Sequence, residues 1–324
     1  MARVVSIQET GGPEVLRVED LSVPAPGPGE VRLRQTAIGV NYIDTYHRSG
    51  LYPLPGLPAV LGREAAGVVV AAGPDVAELR PGDRVAYPMS AGAYATERNI
   101  PVRDVVRLPQ TISDRQAAAM MLKGLTAHYL LHRTYPVREG QTILVHAAAG
   151  GVGLILCQWA KLLGATVIGT VGSDEKAALA RAHGCDHAIV YTSGGFRERV
   201  MELTHGEGVP VVYDSVGRST FAQSLDCLRP LGLLVSFGQA SGPVEPFSIG
   251  VLAAKGSLYL TRPTLATHIA RRADLEQGAE ELFRVVSHGS VQIEIRQAYP
   301  LEEVVRAHRD LEARKTVGST LLIP

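Results

Sequence analysis

The sequence predicts an α/β protein in which a β-rich part is split around a doubly wound parallel sheet. Three observations predict it. Residues 1–112 break into short β-prone runs divided by Gly and Pro. From Ser113 onward helical and strand patterns alternate for about 140 residues, which requires parallel crossover connections. The tail then returns to mixed strand and helix patterns, so the flanks read as one divided domain.

In the first part the strand-like runs are Arg3–Gln8, Val15–Glu19, Val31–Ile38, Gly67–Ala72, Arg84–Tyr87 and Ala93–Glu97, with turn formers at 10–13, 24–29, 73–74 and 81–83. Ser113 followed three residues later by Gln116 is a capping-box helix start. The middle reads as strands at Gln141–Ala147, Thr166–Val171, His187–Tyr191, Val209–Asp214, Gly232–Phe237 and Ser257–Thr261. Helices are predicted at Gly151–Leu163, Asp174–His183, Phe196–Thr204 and Ser219–Leu228. In the tail, Asp274–Ser287 is an amphipathic helix, Leu301–Glu312 another, and Ile293–Tyr299 and Ser319–Ile323 are strands.

Composition excludes several classes. Lys plus Arg equals Asp plus Glu at 32 each, and aromatics are 5%, which argues against a nucleic-acid binder. No 18-residue apolar run predicts a membrane span. Cys157, Cys185 and Cys227 are sparse and odd in number, and the N-terminal residues alternate like a strand rather than forming a signal-peptide core. Both features predict a reduced, cytoplasmic protein.

The sharpest local signal is Thr142-Ile-Leu-Val-His-Ala-Ala-Ala-Gly-Gly-Val-Gly153, a strand entering a Gly-rich turn and then a helix. Ala148 stands at the first position of the dinucleotide fingerprint, with Gly150 and Gly153 at the others. Gly150 allows close approach to a pyrophosphate and Gly153 allows tight helix–sheet packing, while Gly151 and Val152 open a helix whose N–H groups attract phosphate. NAD sites carry an acidic residue at the end of the second strand; here that residue is Val171. Gly172 leaves room, Ser173 donates, Lys176 brings positive charge, and Tyr191 ends the third strand. These residues predict NADPH. Asp174 and Glu175 point the other way only if they reach the ribose; first-turn carboxylates also complement a helix dipole.

Read whole, the chain resembles the medium-chain dehydrogenase/reductase superfamily, and within it the zinc-free, NADPH-dependent quinone oxidoreductases of the zeta-crystallin type. The resemblance runs end to end. It rests on Gly39-Val-Asn-Tyr-Ile-Asp-Thr-Tyr46, Ser49-Gly-Leu-Tyr-Pro53, Gly62-Arg-Glu-Ala-Ala-Gly-Val68, Pro81-Gly-Asp-Arg-Val85, Leu122-Lys-Gly-Leu-Thr-Ala127, the glycine turn, Val212-Tyr-Asp-Ser-Val-Gly217 and Arg314. It implies a GroES-like catalytic domain of residues 1–123 and 263–324 split around a Rossmann domain of residues 124–262.

Zinc enzymes of that superfamily carry Cys and His where this chain has Asn41 and Arg63, and no Cys precedes position 157, so no metal is expected. An electrophilic quinone or enone accepts hydride if donors meet the developing oxyanion. The candidates are Asn41, Tyr46, Tyr52 and Arg262; the resemblance places the first three around the nicotinamide. Asn41 also reads as a turn residue and Tyr46 as a core aromatic. The resemblance further implies that Thr126, at the start of a helix, and Arg314 contact the cofactor, and Ser215, Phe237 and Gly238 follow the fourth and fifth strands, at the C-terminal strand ends where such sheets bind their cofactor. It also implies a homodimer joined through the last strand of the parallel sheet, an otherwise uncovered edge. Two other readings stay open: an enoyl reductase acting on acyl thioesters, and an NADPH-binding structural or RNA-contacting protein.

Overall fold

The computed structural model describes residues 1–193 and 195–324. The chain forms two compact units, one of Met1–Leu125, Ile269–Ser287 and Ile293–Pro324, the other of Thr126–His268 and His288–Gln292. The short segments 263–268 and 288–292 thus belong with the parallel sheet.

The second unit is built on six parallel strands. Across the sheet they run His187–Val190, Thr166–Val171, Thr142–Val145, Val209–Asp214, Leu228–Ser236 and Tyr259–Thr261. The order reverses beside Thr142–Val145, so a ligand crevice is expected at the C-terminal end of that strand, where the glycine turn begins. Helices cover both faces, which is why the inner strands are apolar without alternation: all six residues of Val209–Asp214 are buried. Leu144, Ile168, Val212 and Leu234 pack with Phe196, Val200, Phe221 and Leu225 in its core.

In the first unit Glu30–Val40 is the hub. It pairs antiparallel with Glu64–Ala72 along its length, with Glu97–Pro101 at its start and with Ser319–Ile323 at its end. That last pairing draws the C-terminal strand into the N-terminal sheet, and Leu301, Val304, Leu311 and Leu322 complete a core around Val31, Leu33, Ile38 and Tyr94.

Ser113 caps its helix as expected: Gln116 N–H donates to Ser113 Oγ at 3.2 Å and Ser113 N–H donates to Gln116 Oε1 at 3.0 Å. The helix, Asp114–Tyr129, carries Thr126 in its interior rather than at its start. The expected strand Ala93–Glu97 lies instead at Glu97–Pro101. Residues 93 and 94 donate their N–H groups to Gly62 and Leu61, and the Gln35 side chain takes the carbonyl of Ala93, so no regular ladder forms there. The expected strand at Val15 starts at Arg17, because Pro13 initiates a 3-10 turn over Pro13–Val15. Ser257 has a left-handed φ of 55° and stands outside the last strand, which is only Tyr259–Thr261. Tyr191 likewise follows the third strand and opens a 3-10 turn.

Candidate functional site

The glycine turn sits at the reversal point of the parallel sheet. Its sharp bend is made by Ala147, an exposed residue with φ of 52°, which does without the missing first glycine at a cost of about 1–2 kcal/mol. Ala148 is buried and donates its N–H to Thr170 O at 3.1 Å; Gly150 N–H returns to Ala147 O at 2.9 Å. A Cβ on Gly153 would stand 2.8 Å from the Ala148 carbonyl carbon, so only glycine lets the helix seat against the turn. Gly150 is the N-cap of helix Gly151–Leu162 and offers no side-chain cap. The first-turn N–H groups of Gly151, Val152 and Gly153 have no intrahelical acceptor by helix geometry, and they form the cradle a phosphate would fill.

The residues below the turn were not singled out by sequence pattern. His146 is buried, with Nδ1 2.7 Å from Thr170 Oγ1 and Nε2 2.9 Å from Ser224 Oγ. Burial holds its pKa below the ordinary value, so it stays neutral. Asp214 anchors the neighbouring strand end by accepting from the N–H groups of Val216 and Gly217 and from Thr220 Oγ1.

At the second strand end, Ser173 caps helix Asp174–Ala182: its Oγ accepts from Lys176 N–H at 3.3 Å, which leaves the hydroxyl proton to donate. Asp174 and Glu175 are exposed in the first turn. The Tyr191 hydroxyl lies over Gly172, 3.2 Å from where a Cβ would be. These four candidates, Gly172, Ser173, Lys176 and Tyr191, are therefore brought together. Ser215 and Gly238 also meet: a Cβ on Gly238 would come 2.6 Å from Ser215 O. Phe237 N–H donates to Asp214 O at 2.8 Å, and Arg262 Nη1 donates to Ser236 O at 2.7 Å, so both stand at the C-terminal ends of the strands.

In the first unit, Asn41 is the N-cap of helix Tyr42–Arg48 in a capping box with Asp44, whose Oδ2 accepts the Asn41 N–H at 2.8 Å, and Asn41 Nδ2 donates to Glu64 Oε1 at 2.9 Å. The buried Glu64 carboxylate also accepts from Leu122 N–H at 2.7 Å and pairs with the buried Lys123 ammonium. Tyr46 and Tyr52 pack edge to face with ring centres 5.1 Å apart, and the His47 ring lies 5.8 Å from that of Tyr52. Arg63 Nη2 donates to His47 Nε2 at 2.7 Å and Nη1 donates to Met89 O at 3.3 Å. Glu64, Lys123 and His47 carried no signal as single residues; they become functional candidates through contact with Asn41, Tyr52 and Arg63. Arg314 ends helix Val304–Glu312 with φ of 57° and is exposed.

A family model described as zinc-binding dehydrogenase matches residues 151–283, and one described as alcohol dehydrogenase GroES-like domain matches residues 27–133. The chain is 54% identical to a quinone oxidoreductase of Pseudomonas aeruginosa over the full length of both. It is 45% identical to a 2-haloacrylate reductase of Burkholderia sp, covering 100% of this chain and 99% of the relative. The crystal structure of Escherichia coli quinone oxidoreductase complexed with NADPH superposes with a TM-score of 0.98 at 48% identity, covering all of both chains. The first of these family models implies zinc, and Asn41 and Arg63 do not fit it: an amide is not among the thiolate, imidazole and carboxylate ligands that hold zinc, and a guanidinium is a cation without an acceptor atom. The glycine turn, the split sheet and the full-length identity agree, and the chain belongs to the quinone oxidoreductase family of the medium-chain dehydrogenase/reductase superfamily.

Proposed function

We propose that the protein is an NADPH-dependent quinone oxidoreductase that reduces small quinones or activated alkenes without zinc. The observation that carries this reading is the uncapped helix N-terminus at Gly150–Gly153, together with an apolar Val171 where an NAD site has an acid. NADPH supplies the hydride when bound. The N–H groups of Gly151, Val152 and Gly153 hold the pyrophosphate, with Ala148 and Gly150 shaping the turn. Ser173, Lys176 and Tyr191 would hold the 2′-phosphate, with Gly172 leaving room for it. Thr126, Ser215, Phe237 and Gly238 bind the nicotinamide half, and Asn41 and Arg314 are proposed as further cofactor contacts. Asn41, Tyr46, Tyr52 and Arg262 offer N–H and O–H donors to the acceptor oxygen as it gains charge, which lowers the barrier when the donors are held in place beforehand. Glu64 provides that hold for Asn41.

The reading includes a homodimer joined through Tyr259–Thr261. This strand is the sheet edge, and Tyr259, Ile249 and Leu231 are 61%, 80% and 65% exposed. It also includes a cytoplasmic location, supported by three free, buried cysteines. No helix among the described residues is long and apolar enough to cross a membrane.

The test is NADPH oxidation, followed by absorbance, with a panel of quinones and enones. Turnover with quinones, faster with NADPH than with NADH, is expected. Tight NADPH binding without turnover of any acceptor would replace the enzyme reading with a binding one.

A further inference from the structure

Glu64 pairs with Gly39 across two antiparallel strands, so Arg63 and Asn41 stand at the same sheet end. Arg63 is partly buried, and burial holds its pKa down. Both of its hydrogen bonds go to neutral acceptors, the His47 ring nitrogen and the Met89 carbonyl. His47 is itself kept neutral by burial and by the neighbouring guanidinium. The carboxylates nearby do not neutralise the cation: Glu64 is committed to Lys123, Leu122 and Asn41, and Asp44 accepts from Asn41 N–H and the Tyr94 hydroxyl. Among the described residues Arg63 makes no ion pair closer than its longer-range attraction to Asp44. A half-buried arginine without a paired anion is uncommon, because desolvation is offset only by a partner. Met89, which presents its carbonyl to Arg63, has φ of 63°, a strained conformation for a side-chain-bearing residue and one found at ligand clamps. His47 then packs on Tyr52, and Tyr52 on Tyr46.

We propose that Arg63, oriented by His47, is a specificity-determining residue that binds a carboxylate on the acceptor, so that the preferred acceptors are quinones or activated alkenes bearing a carboxylate group. The planar guanidinium matches a carboxylate with two parallel N–H donors, a pairing that lysine or a neutral amide does not reproduce. The inference rests on the reading that Asn41, Tyr46 and Tyr52 line the acceptor pocket.

The test compares a quinone carboxylic acid with its methyl ester, two acceptors that differ by one negative charge and one methyl group, for the wild type, Arg63→Gln and Arg63→Lys. The wild type is expected to favour the acid. In Arg63→Gln the ratio of kcat/KM for acid over ester is expected to fall roughly tenfold or more, chiefly through KM for the acid, with Arg63→Lys in between. A ratio within about twofold of wild type, whether or not both activities drop, overturns the proposal while leaving quinone reduction intact. Wild-type enzyme that oxidises no NADPH with either compound overturns the quinone reading and this proposal with it. If Arg63→Gln does not fold, His47→Leu is expected to lower the ratio by releasing the guanidinium, and an unchanged ratio there also overturns it.

Discussion

Asp44 and His308 bond the same buried hydroxyl from two sides: Tyr94 Oη is 2.9 Å from Asp44 Oδ2 and 3.0 Å from His308 Nε2. The donors order the chain. Arg48 Nη1 donates to His308 Nδ1 at 3.0 Å, so the imidazole proton sits on Nε2 and points to Tyr94, whose hydroxyl donates to Asp44. Asp44 Oδ2 also takes the Asn41 N–H, and its buried Oδ1 has no hydrogen-bond partner among the described residues.

Burial pushes the Asp44 carboxyl up to about 7 from 3.8 and the His308 imidazole down to about 3 from 6.5. Between pH 3.8 and 7 the folded chain holds an Asp44 proton that the unfolded chain has lost, so this group makes stability fall as pH rises. Between pH 3 and 6.5 the unfolded chain holds a His308 proton that the folded chain lacks, so this group makes stability fall as pH drops. The two slopes oppose each other where the windows overlap. Asp44→Asn should unmask the His308 slope, with stability relative to wild type declining by up to about 1.4 kcal/mol per pH unit as pH falls from 7 to 3.8, the window of the lost Asp44 linkage. Urea unfolding across that range checks it; parallel curves for wild type and variant would contradict it.

Glu64→Ala should cost about 3–5 kcal/mol, because it leaves the Lys123 ammonium buried without its anion. Adding Lys123→Met removes the stranded charge and should recover part of the loss. Denaturant unfolding of the two singles and the double gives the coupling. Additive losses would mean that the pair does not act as a unit.

Cofactor choice should follow Ser173 and Lys176. Asp at position 173 still caps the helix, so Ser173→Asp with Lys176→Ala keeps the fold while repelling a 2′-phosphate. The NADPH-to-NADH ratio of binding constants should drop roughly tenfold or more, since a charged phosphate contact contributes about 1.5–3 kcal/mol. Titration by fluorescence measures it, and a constant ratio would remove these residues from the assignment.

Assembly should depend on the outer strand. Tyr259→Arg with Ile249→Asp places charge on an exposed apolar edge and is expected to convert a dimer to a monomer of 34.5 kDa by light scattering. Leu258→Pro is a poor probe of the edge, because Leu258 is buried and its N–H donates to Leu252 O inside the unit. Wild-type protein that is monomeric at micromolar concentration would refute the dimer.

Local patterns carried the parallel sheet, its crossover helices, the glycine turn and the Ser113 cap, because each depends on periodicity or on a residue's own conformational limits. Thr166–Val171 and Val209–Asp214 lie where their apolar runs end, since a strand covered on both faces has no other reading. The missing acid at Val171 and the Ser173 cap are likewise properties of a few adjacent residues. What tertiary structure decided are contacts between residues far apart in the chain. Glu64 meets Asn41 and Lys123 across separations of 23 and 59 residues, and Tyr94 meets His308 across 214. The segment at 93–95 forms no regular strand because Gly62 and Leu61 carbonyls take the Ala93 and Tyr94 N–H groups and Ala95 N–H turns back to Ala93 O. Arg63 could be read in sequence only as a residue that ligates no metal. Folding placed it against a neutral histidine with no anion paired to it among the described residues, and desolvation makes that arrangement costly without a ligand.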